Sequence, residues 1–405
     1  MPREITTSAV VKLTRNPIRD IVDNLKIEPP KDRRFLSLAL GDPTVFGNLQ
    51  PNDEIVAAVE TALRSHAGDG YSPSAGYPEA RAAIADFARV PSRPLAGDDV
   101  IITSGASHAL YLTFKALVNP GDNVLLPAPG FPLYDTQISS LGGQAKFYPL
   151  DPARNWAADV AAMDALVDDR TVAILVCNPS NPCGSVFDRA TLEGIIAVAE
   201  RHGLPIIADE IYLDLVFDDN VFHPIASLST TVPVIGIGGL AKKFLVPGWR
   251  IGWVLIWDDP AHRLAELRRG LMGLSALILG GNSLIQRAIP TILKVNDTFH
   301  RRTLDVLINN AHRSIEAFKT VPGITCIRPQ GAMYLMLQID VAQFRDIRDD
   351  RDFAEQLVAE EGVLVLPGQC FHCTGHFARI VFTAPAERLD EAYARIDAFC
   401  RRHQR

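Results

Sequence analysis

PIIADEIYLDLVFDDNVFHPIASLSTTVPVIGIGGLAKKFLVPGWRIGWVLI, residues 205–256, contains three short apolar runs: PIIAD (205–209), VPVIGI (232–237) and IGWVLI (251–256). Each reads as a strand. Upstream, VIIT (100–103), NVLLP (123–127) and VAILVC (172–177) read the same way, with helix-like stretches at Ser107–Leu117 and Arg189–His202 between them. This alternation predicts an α/β fold, a mostly parallel sheet with helices on both faces. Such sheets place ligands beyond the carboxyl ends of their strands.

Beyond about residue 296 the rhythm changes. A long helix (Asp297–Lys319) precedes short strands at ITCIRP, AMYLMLQI, VLVLPG and RIVFT, with helices at Asp352–Glu361 and Glu387–Arg402. These predict a smaller α+β domain. The Pro- and turn-rich first 48 residues are expected to wrap onto it, giving a large domain over 49–295 and a small one from 1–48 and 296–405. At 405 residues, about two domains is the ordinary count.

Composition narrows the class. With 47% hydrophobic and 21% charged residues the chain is an ordinary globular one. A formal net charge of -7 argues against nucleic acid, which rewards dense basic surface. The longest uncharged stretch, Gly270–Gln286, has 17 residues and four glycines, short of the roughly 20 apolar residues of a membrane span, and reads as a buried helix or active-site loop. The first residues carry scattered charges and no apolar run, and six cysteines are too sparse for a disulfide framework, so the cytosol is the expected compartment, with mitochondrial placement left open. Cys370 and Cys373 form a single CxxC beside His372 and His376; without a second pair they read as thiols in a loop, and no metal is expected.

The polar residues cluster at the predicted strand ends. After Cys177 comes NPSNPCG (178–184), whose Asn181 can point an amide at a ligand, although the motif reads equally as a plain turn. Asp209 would end an apolar strand, where an ionised carboxylate is costly without a cationic partner; alternatively it caps a following helix. Tyr212 lies three residues on. Lys242 follows a glycine-rich turn after an apolar strand, and a confined amine is a competent nucleophile for an aldehyde. Arg250, eight residues further, suits a phosphate dianion. Two surface cations are the alternative. Gly105, Ala106 and Ser107 in SGASHAL (104–110) would present N–H groups and a hydroxyl at a helix N-terminus, which binds anions. Phe131 in PGFPLYD either stacks on a flat ring or is a core residue. An anion cradle, a stacking ring, an amide, a carboxylate, a phenol, an amine and an arginine are together what pyridoxal phosphate requires.

The chain resembles the class I pyridoxal-phosphate aminotransferases, and within them the tyrosine aminotransferase family. The likeness runs from NPIRDIVDN (16–24) and LGDPTVFGNL (40–49) through NPSNPCGSVF, ADEIY and GLAKKFLVPGWRIGW to GAMYLM (331–336). The resemblance implies a fold-type I enzyme that moves an amino group from L-tyrosine or a related aromatic amino acid to a 2-oxo acid in a ping-pong reaction. It implies Lys242 as Schiff-base lysine and proton shuttle, Asp209 on the pyridine nitrogen, Asn181 and Tyr212 on the ring hydroxyl, Ala106, Ser107 and Arg250 on the phosphate, and Phe131 on the ring. It implies Arg379, opening RIVFT, as the clamp on the substrate α-carboxylate, with the Gly41 backbone beside it. Tyr71, in GYSPSAGYPEAR, matches a tyrosine donated to a neighbouring subunit, so a homodimer with shared active sites is implied. Some class members carry a hydroxyl residue three positions before the lysine; here it is Gly239, which leaves more of the phosphate charge to Ser107 and Arg250.

Two other readings are weaker. GIGGLA (236–241) with Asp258 fits a dinucleotide fingerprint of an NAD-binding oxidoreductase, but Pro247 and Gly248 break the helix it needs. A cofactor-binding regulator would carry an added DNA-binding segment. Within the aminotransferases, alanine or broad-specificity activity is the alternative. Discrimination for aspartate would need a second fixed cation, and the uncharged SALILGGNS segment (275–283), read as an entrance region, supplies none.

Overall fold

The structure, a computed structural model, describes residues 5–14, 16–18, 29–295 and 297–405. Most of NPIRDIVDN (16–24) lies outside them. A two-residue strand, β1 (Leu36–Ser37), comes first. Eight strands then build one sheet: β2 (Val100–Thr103), β3 (Asn123–Ala128), β4 (Gln144–Asp151), β5 (Ala157–Ala158), β6 (Thr171–Cys177), β7 (Ile206–Asp209), β8 (Val234–Gly239) and β9 (Gly252–Trp257). Their spatial order is β2-β9-β8-β7-β6-β3-β4-β5. β8, β7, β6, β3 and β4 pair in parallel. β9 is antiparallel to both β8 and β2, and β5 to β4.

Successive side chains of a strand point to opposite faces, and here both faces are buried. Ile101, Leu126, Leu175, Ile207 and Ile235 join one core with Leu110 and Phe114 of the helix Ala106–Leu117. Ile102, Leu125, Ile174, Ile206 and Val234 join the other, with Ile84 of Pro78–Phe87 and Ile195 of Arg189–His202. That double burial is why these strands read as unbroken apolar runs. β4 gave no such run: toward the edge of the sheet, QAKFYPLD mixes exposed and buried positions.

A second, antiparallel sheet holds β10 (Ile324–Cys326), β11 (Tyr334–Ile339), β13 (Leu366–Pro367) and β14 (Phe377–Val381) in the order β10-β11-β14-β13. Between them β12 (Val363–Leu364) pairs in parallel with β1. Leu307 and Ala311 of the helix Asp297–Phe318, and Leu389, Ile396 and Phe399 of Ala386–His403, close this core. The earlier part of the N-terminal segment departs from expectation. Its helix Ala9–Leu13 lies against Leu133–Ser140, a helix beside the large sheet.

The 270–286 stretch also differs. It is not one buried helix: the helix Ala265–Ser275 gives way to turns before the helix Ser283–Ile292, and in those turns Leu277, Ile278 and Leu279 face solvent, Leu277 at 66% exposure. Hydropathy alone does not tell inward from outward in so short a run. No helix opens after β8; residues 240–249 are turns and a short 3-10 segment, so the dinucleotide fingerprint lacks its helix. Among the described residues no helix is long and apolar enough to cross a membrane, and no three His, Cys, Asp or Glu gather as metal ligands. His372 of the CxxC instead stacks on Phe147, ring centroids 4.1 Å apart.

One buried cation anchors the sheet end opposite the cavity described below. Arg93 donates to the carbonyls of Ser229 (3.1 Å), Val232 (2.8 Å), Trp257 (2.8 Å) and Asp258 (2.6 Å). Burial holds its pKa below the usual arginine value, offset by Asp259 and Asp258. Arg93→Met leaves those carbonyls without a donor and should lower stability by about 3–5 kcal/mol. Urea unfolding checks this, and a loss below about 1 kcal/mol would show that the carbonyls find other donors.

Candidate active site

The parallel strands deliver their ends to one edge. β2 ends at Thr103, just before Gly105, Ala106 and Ser107; β3 ends at Ala128, before Phe131; β6 ends at Cys177, before Asn181. β7 ends on Asp209 itself, with Tyr212 three residues on, and β8 ends at Gly239, before Lys242. β9 runs the other way, so its beginning lies at that edge: Gly252 pairs with both Thr103 and Gly239. Arg250, two residues earlier, therefore joins the group. It sits just ahead of the strand at φ 56°, in the left-handed region. Its Nη1 donates to Pro247 O (2.9 Å) and its Nη2 to Ser104 O (3.3 Å). The packing here requires glycine on both sides. A Cβ on Gly252 would collide with the Gly105 carbonyl carbon and the Ala106 nitrogen, and one on Gly105, at φ 78°, would collide with the Arg250 guanidinium.

The second sheet faces this edge. Arg379 lies in the middle of β14, opposite Met336 on β11, rather than at the strand's start, and Tyr334 opens β11. The chain leaving β1 adds Ala39, Leu40 and Gly41. Between the layers is a cavity of about 260 Å³. Gly41, Ala106, Ser107, Phe131, Asn181, Asp209, Tyr212, Lys242, Arg250 and Arg379 all line it. Gly105 lies directly behind its wall. Tyr71 does not reach it; that side chain is 91% exposed and borders a separate hollow with Leu279, Gly280 and Gly281. Tyr134, Tyr334, Ile18, Leu40 and Ile211 also line the cavity and were not singled out from the sequence. Tyr134 falls one helical turn after Phe131, and that spacing was the available signal.

The polar groups are held by one another. Asp209 is 3% exposed; its Oδ2 accepts from Tyr134 Oη at 2.7 Å and its Oδ1 from Ile211 N at 3.3 Å. No helix follows it, so it is not a helix cap. Lys242 Nζ donates to the Gly41 carbonyl. Arg379, 2% exposed, donates through Nη1 to Asn181 Oδ1 at 2.9 Å and through Nη2 to Ala39 O. A guanidinium has five N–H donors, and the buried Nε–H of Arg379 has no acceptor among the described residues. Burial lowers its pKa. The first N–H groups of a helix have no partner within it, and those of Ala106 and Ser107 meet Arg250 at one end of the cavity. The donor set thus offers two anion sites, at Arg379 and at Ser107–Arg250. Between them are an amine and a buried carboxylate. A phosphorylated pyridine aldehyde fits this set, since it has an anion for one end, a ring nitrogen for Asp209 and an aldehyde for Lys242.

Burial pushes Asp209 up to about 6, against the lowering effects of Tyr134, the Ile211 N–H and Lys242. A carboxyl with a higher value folded than unfolded binds its proton more tightly when folded. Its contribution to stability is therefore full below about pH 4 and is lost as pH rises toward 6. In the ligand-free protein, Asp209→Asn should match the parent near pH 4 and exceed its stability by roughly 3 kcal/mol at pH 7. Urea unfolding at the two pH values checks this; a pH-independent difference would mean that Asp209 is not destabilised by burial.

The sequence profile of the family described as Aminotransferase class I and II matches residues 33–396. Tyrosine aminotransferase of Bos taurus is 46% identical over 391 residues, covering 96% of this chain and 87% of that one. Among solved structures, tyrosine aminotransferase from Leishmania infantum superposes with a TM-score of 0.95 at 37% identity, covering 100% of both chains. Alanine aminotransferase from Pyrococcus furiosus gives 0.92 at 31%, covering 98% of this chain and 100% of that one. The chain belongs to the class I and II aminotransferases and is a fold-type I, pyridoxal-phosphate-dependent transaminase.

Proposed function

We propose that this transaminase takes the amino group of L-tyrosine or a related aromatic amino acid and gives it to a 2-oxo acid such as 2-oxoglutarate or pyruvate. The observation that carries this reading is the cavity itself. It has one buried arginine for an α-carboxylate, apolar walls from Ile18, Leu40 and Ile211, and no second buried cation among its described lining residues. Such walls suit an aromatic side chain and leave a second carboxylate unpaired. The likeness to tyrosine aminotransferases agrees. Alanine would leave the apolar walls unfilled, although the likeness to an alanine aminotransferase keeps that activity as the second reading.

When bound, pyridoxal phosphate supplies an aldehyde for the amino nitrogen and a protonated ring that accepts the electrons left when the α-proton departs. In this reading Ala106, Ser107 and Arg250 hold the phosphate, Phe131 packs on the ring, and Asp209 keeps the ring nitrogen protonated. Asn181 and Tyr212 hold the ring hydroxyl. Arg379, with the Gly41 backbone beside it, binds the substrate α-carboxylate and fixes which α-substituent faces Lys242. Lys242 would take the α-proton as a general base and return it, as a general acid, to the cofactor's aldehyde carbon on the other side of the amino nitrogen.

Tyr71 enters this reading only through a second copy of the chain. It stands on the surface beside Leu279, the last of three consecutive exposed apolar residues, Leu277–Leu279, of the kind that association buries. A homodimer, with Tyr71 reaching the partner's phosphate site, accounts for both. The two sheets favour a large domain over 49–295 and a small one over 296–405 joined by the chain around β1, while the helix Ala9–Leu13 goes with the large domain, and the cytosol remains the compartment favoured by the sparse cysteines.

Three measurements test the reading. The yellow holoenzyme mixed with L-tyrosine and no oxo acid should lose its visible band, faster than with L-alanine and far faster than with L-aspartate. Conversion by aspartate or alanine alone would remove the aromatic assignment. Lys242→Ala should abolish turnover while retaining some cofactor, and Arg379→Ala should raise KM for every amino acid, costing several kcal/mol in kcat/KM. An Arg379→Ala effect confined to one substrate would place the carboxylate clamp elsewhere.

A further inference from the structure

Tyr334 is buried in the cavity wall and no step above uses it. Its hydroxyl lies 2.6 Å from the Tyr212 hydroxyl, and the two rings meet edge to face with centroids 5.5 Å apart. The Arg379 guanidinium carbon sits 4.7 Å from the centroid of the Tyr334 ring and 4.7 Å from that of Phe371. The surroundings are built to this side chain. A Cβ on Gly41 would collide with the Tyr334 hydroxyl, and one on Gly184 with the Tyr334 carbonyl oxygen. The backbone is fixed by pairing opposite Val381, just after Ala332 at φ 57°.

We propose that Tyr334 is a positioning residue that couples the two recognition groups of the site: its hydroxyl orients Tyr212 toward the cofactor's ring oxygen, and its ring face holds the Arg379 guanidinium for the substrate carboxylate. This rests on the roles given above to Tyr212 and Arg379. Each phenol has one proton to donate. With an anionic oxygen beside Tyr212, Tyr212 turns its proton to that oxygen and accepts the proton of Tyr334. A chain of two hydroxyls ending on an oxyanion strengthens its last hydrogen bond. The ring face contributes separately, as a guanidinium on an aromatic face is attracted to it and loses freedom there. The other titratable or charged groups around the pair are Asp209, Lys242, Arg379 and the Cys177 thiol, and of these Arg379 is the one in contact with the Tyr334 ring.

The test loads the parent, Tyr334→Phe, Tyr334→Leu and Tyr212→Phe with pyridoxal phosphate and titrates the visible band with pH. Removing a donor from an oxyanion disfavours the deprotonated form and raises the midpoint. Tyr334→Phe should raise it by roughly 0.2–0.7 pH, less than Tyr212→Phe does. The second readout is the dissociation constant of 3-phenylpropionate, an aromatic carboxylate without an amino group. Tyr334→Phe keeps the ring and should leave it within about twofold, whereas Tyr334→Leu should weaken binding roughly 2- to 30-fold. A midpoint unmoved in Tyr334→Phe but moved in Tyr212→Phe overturns the coupling. A midpoint unmoved in both overturns the role of Tyr212 and the coupling with it. Equal binding by the Phe and Leu variants overturns the ring-face part, and if Tyr334→Leu does not fold, the Tyr334→Phe titration decides.

Discussion

A carboxylate taken out of water at the end of an apolar strand is a liability that the fold has to justify. Asp209 is held by one phenol and one backbone N–H, and burial still raises its proton affinity. A fixed cation would relieve that cost, and Lys242 supplies only part of the field. In the proposed reading the protonated ring nitrogen of the cofactor is such a cation. Binding would then stabilise the protein and the buried charge at once, and the same charge would keep the ring able to accept electrons. Tyr134 belongs to this arrangement, since without it Asp209 would lose its only side-chain donor among the described residues.

The sheet supplies the rest by direction. Five parallel strands bring their ends to one edge, and the reversal of β9 adds what none of them carries. Because β9 begins where the others finish, Arg250 meets the N-terminus of Ala106–Leu117, with Gly105 and Gly252 clearing the space. A parallel β9 would have carried Arg250 to the opposite edge, more than 15 Å away over a six-residue strand. The phosphate site of this reading thus depends on one antiparallel strand within a mostly parallel sheet.

Residues whose chemistry conflicts with their local sequence were visible in it. Asp209 ends an apolar run, Lys242 follows a glycine turn, and Ala106 and Ser107 open an amphipathic helix. The large sheet was legible for the same reason, since strands buried on both faces leave unbroken apolar runs. The reversal of β9 was not, because periodicity reports burial and not strand direction. Tyr134 and Tyr334 were missed because their partners lie 75 and 122 residues away; the spacing from Phe131 is the one local mark of Tyr134, and nothing local marks Tyr334. Arg379 entered only through family resemblance, since an arginine in FARIV looks like any strand cation. The outward turn of Leu277–Leu279 was illegible for a further reason: an apolar run that faces outward has the same composition as one that faces a core.

The two layers are joined across the cavity by hydrogen bonds that also decide how it is preorganised. Arg379 donates to the oxygen of the Asn181 amide, which fixes the flip of that amide. Its NH₂ is then the end left to donate to the ring oxygen of the proposed reading, alongside Tyr212. Tyr334 ties Tyr212 to the same side. Lys242 reaches across to the Gly41 carbonyl, and this contact must be surrendered when the amine reacts with an aldehyde. The bonds through Asn181 and Tyr212 can persist with cofactor in place, so in the proposed reading the small sheet orients the groups that would hold the cofactor before any substrate arrives. A substrate carboxylate would then meet an Arg379 whose rotamer is already set by Asn181, Ala39 and two aromatic rings. Most of the side-chain entropy of a long arginine has been lost in folding and is not lost again on binding.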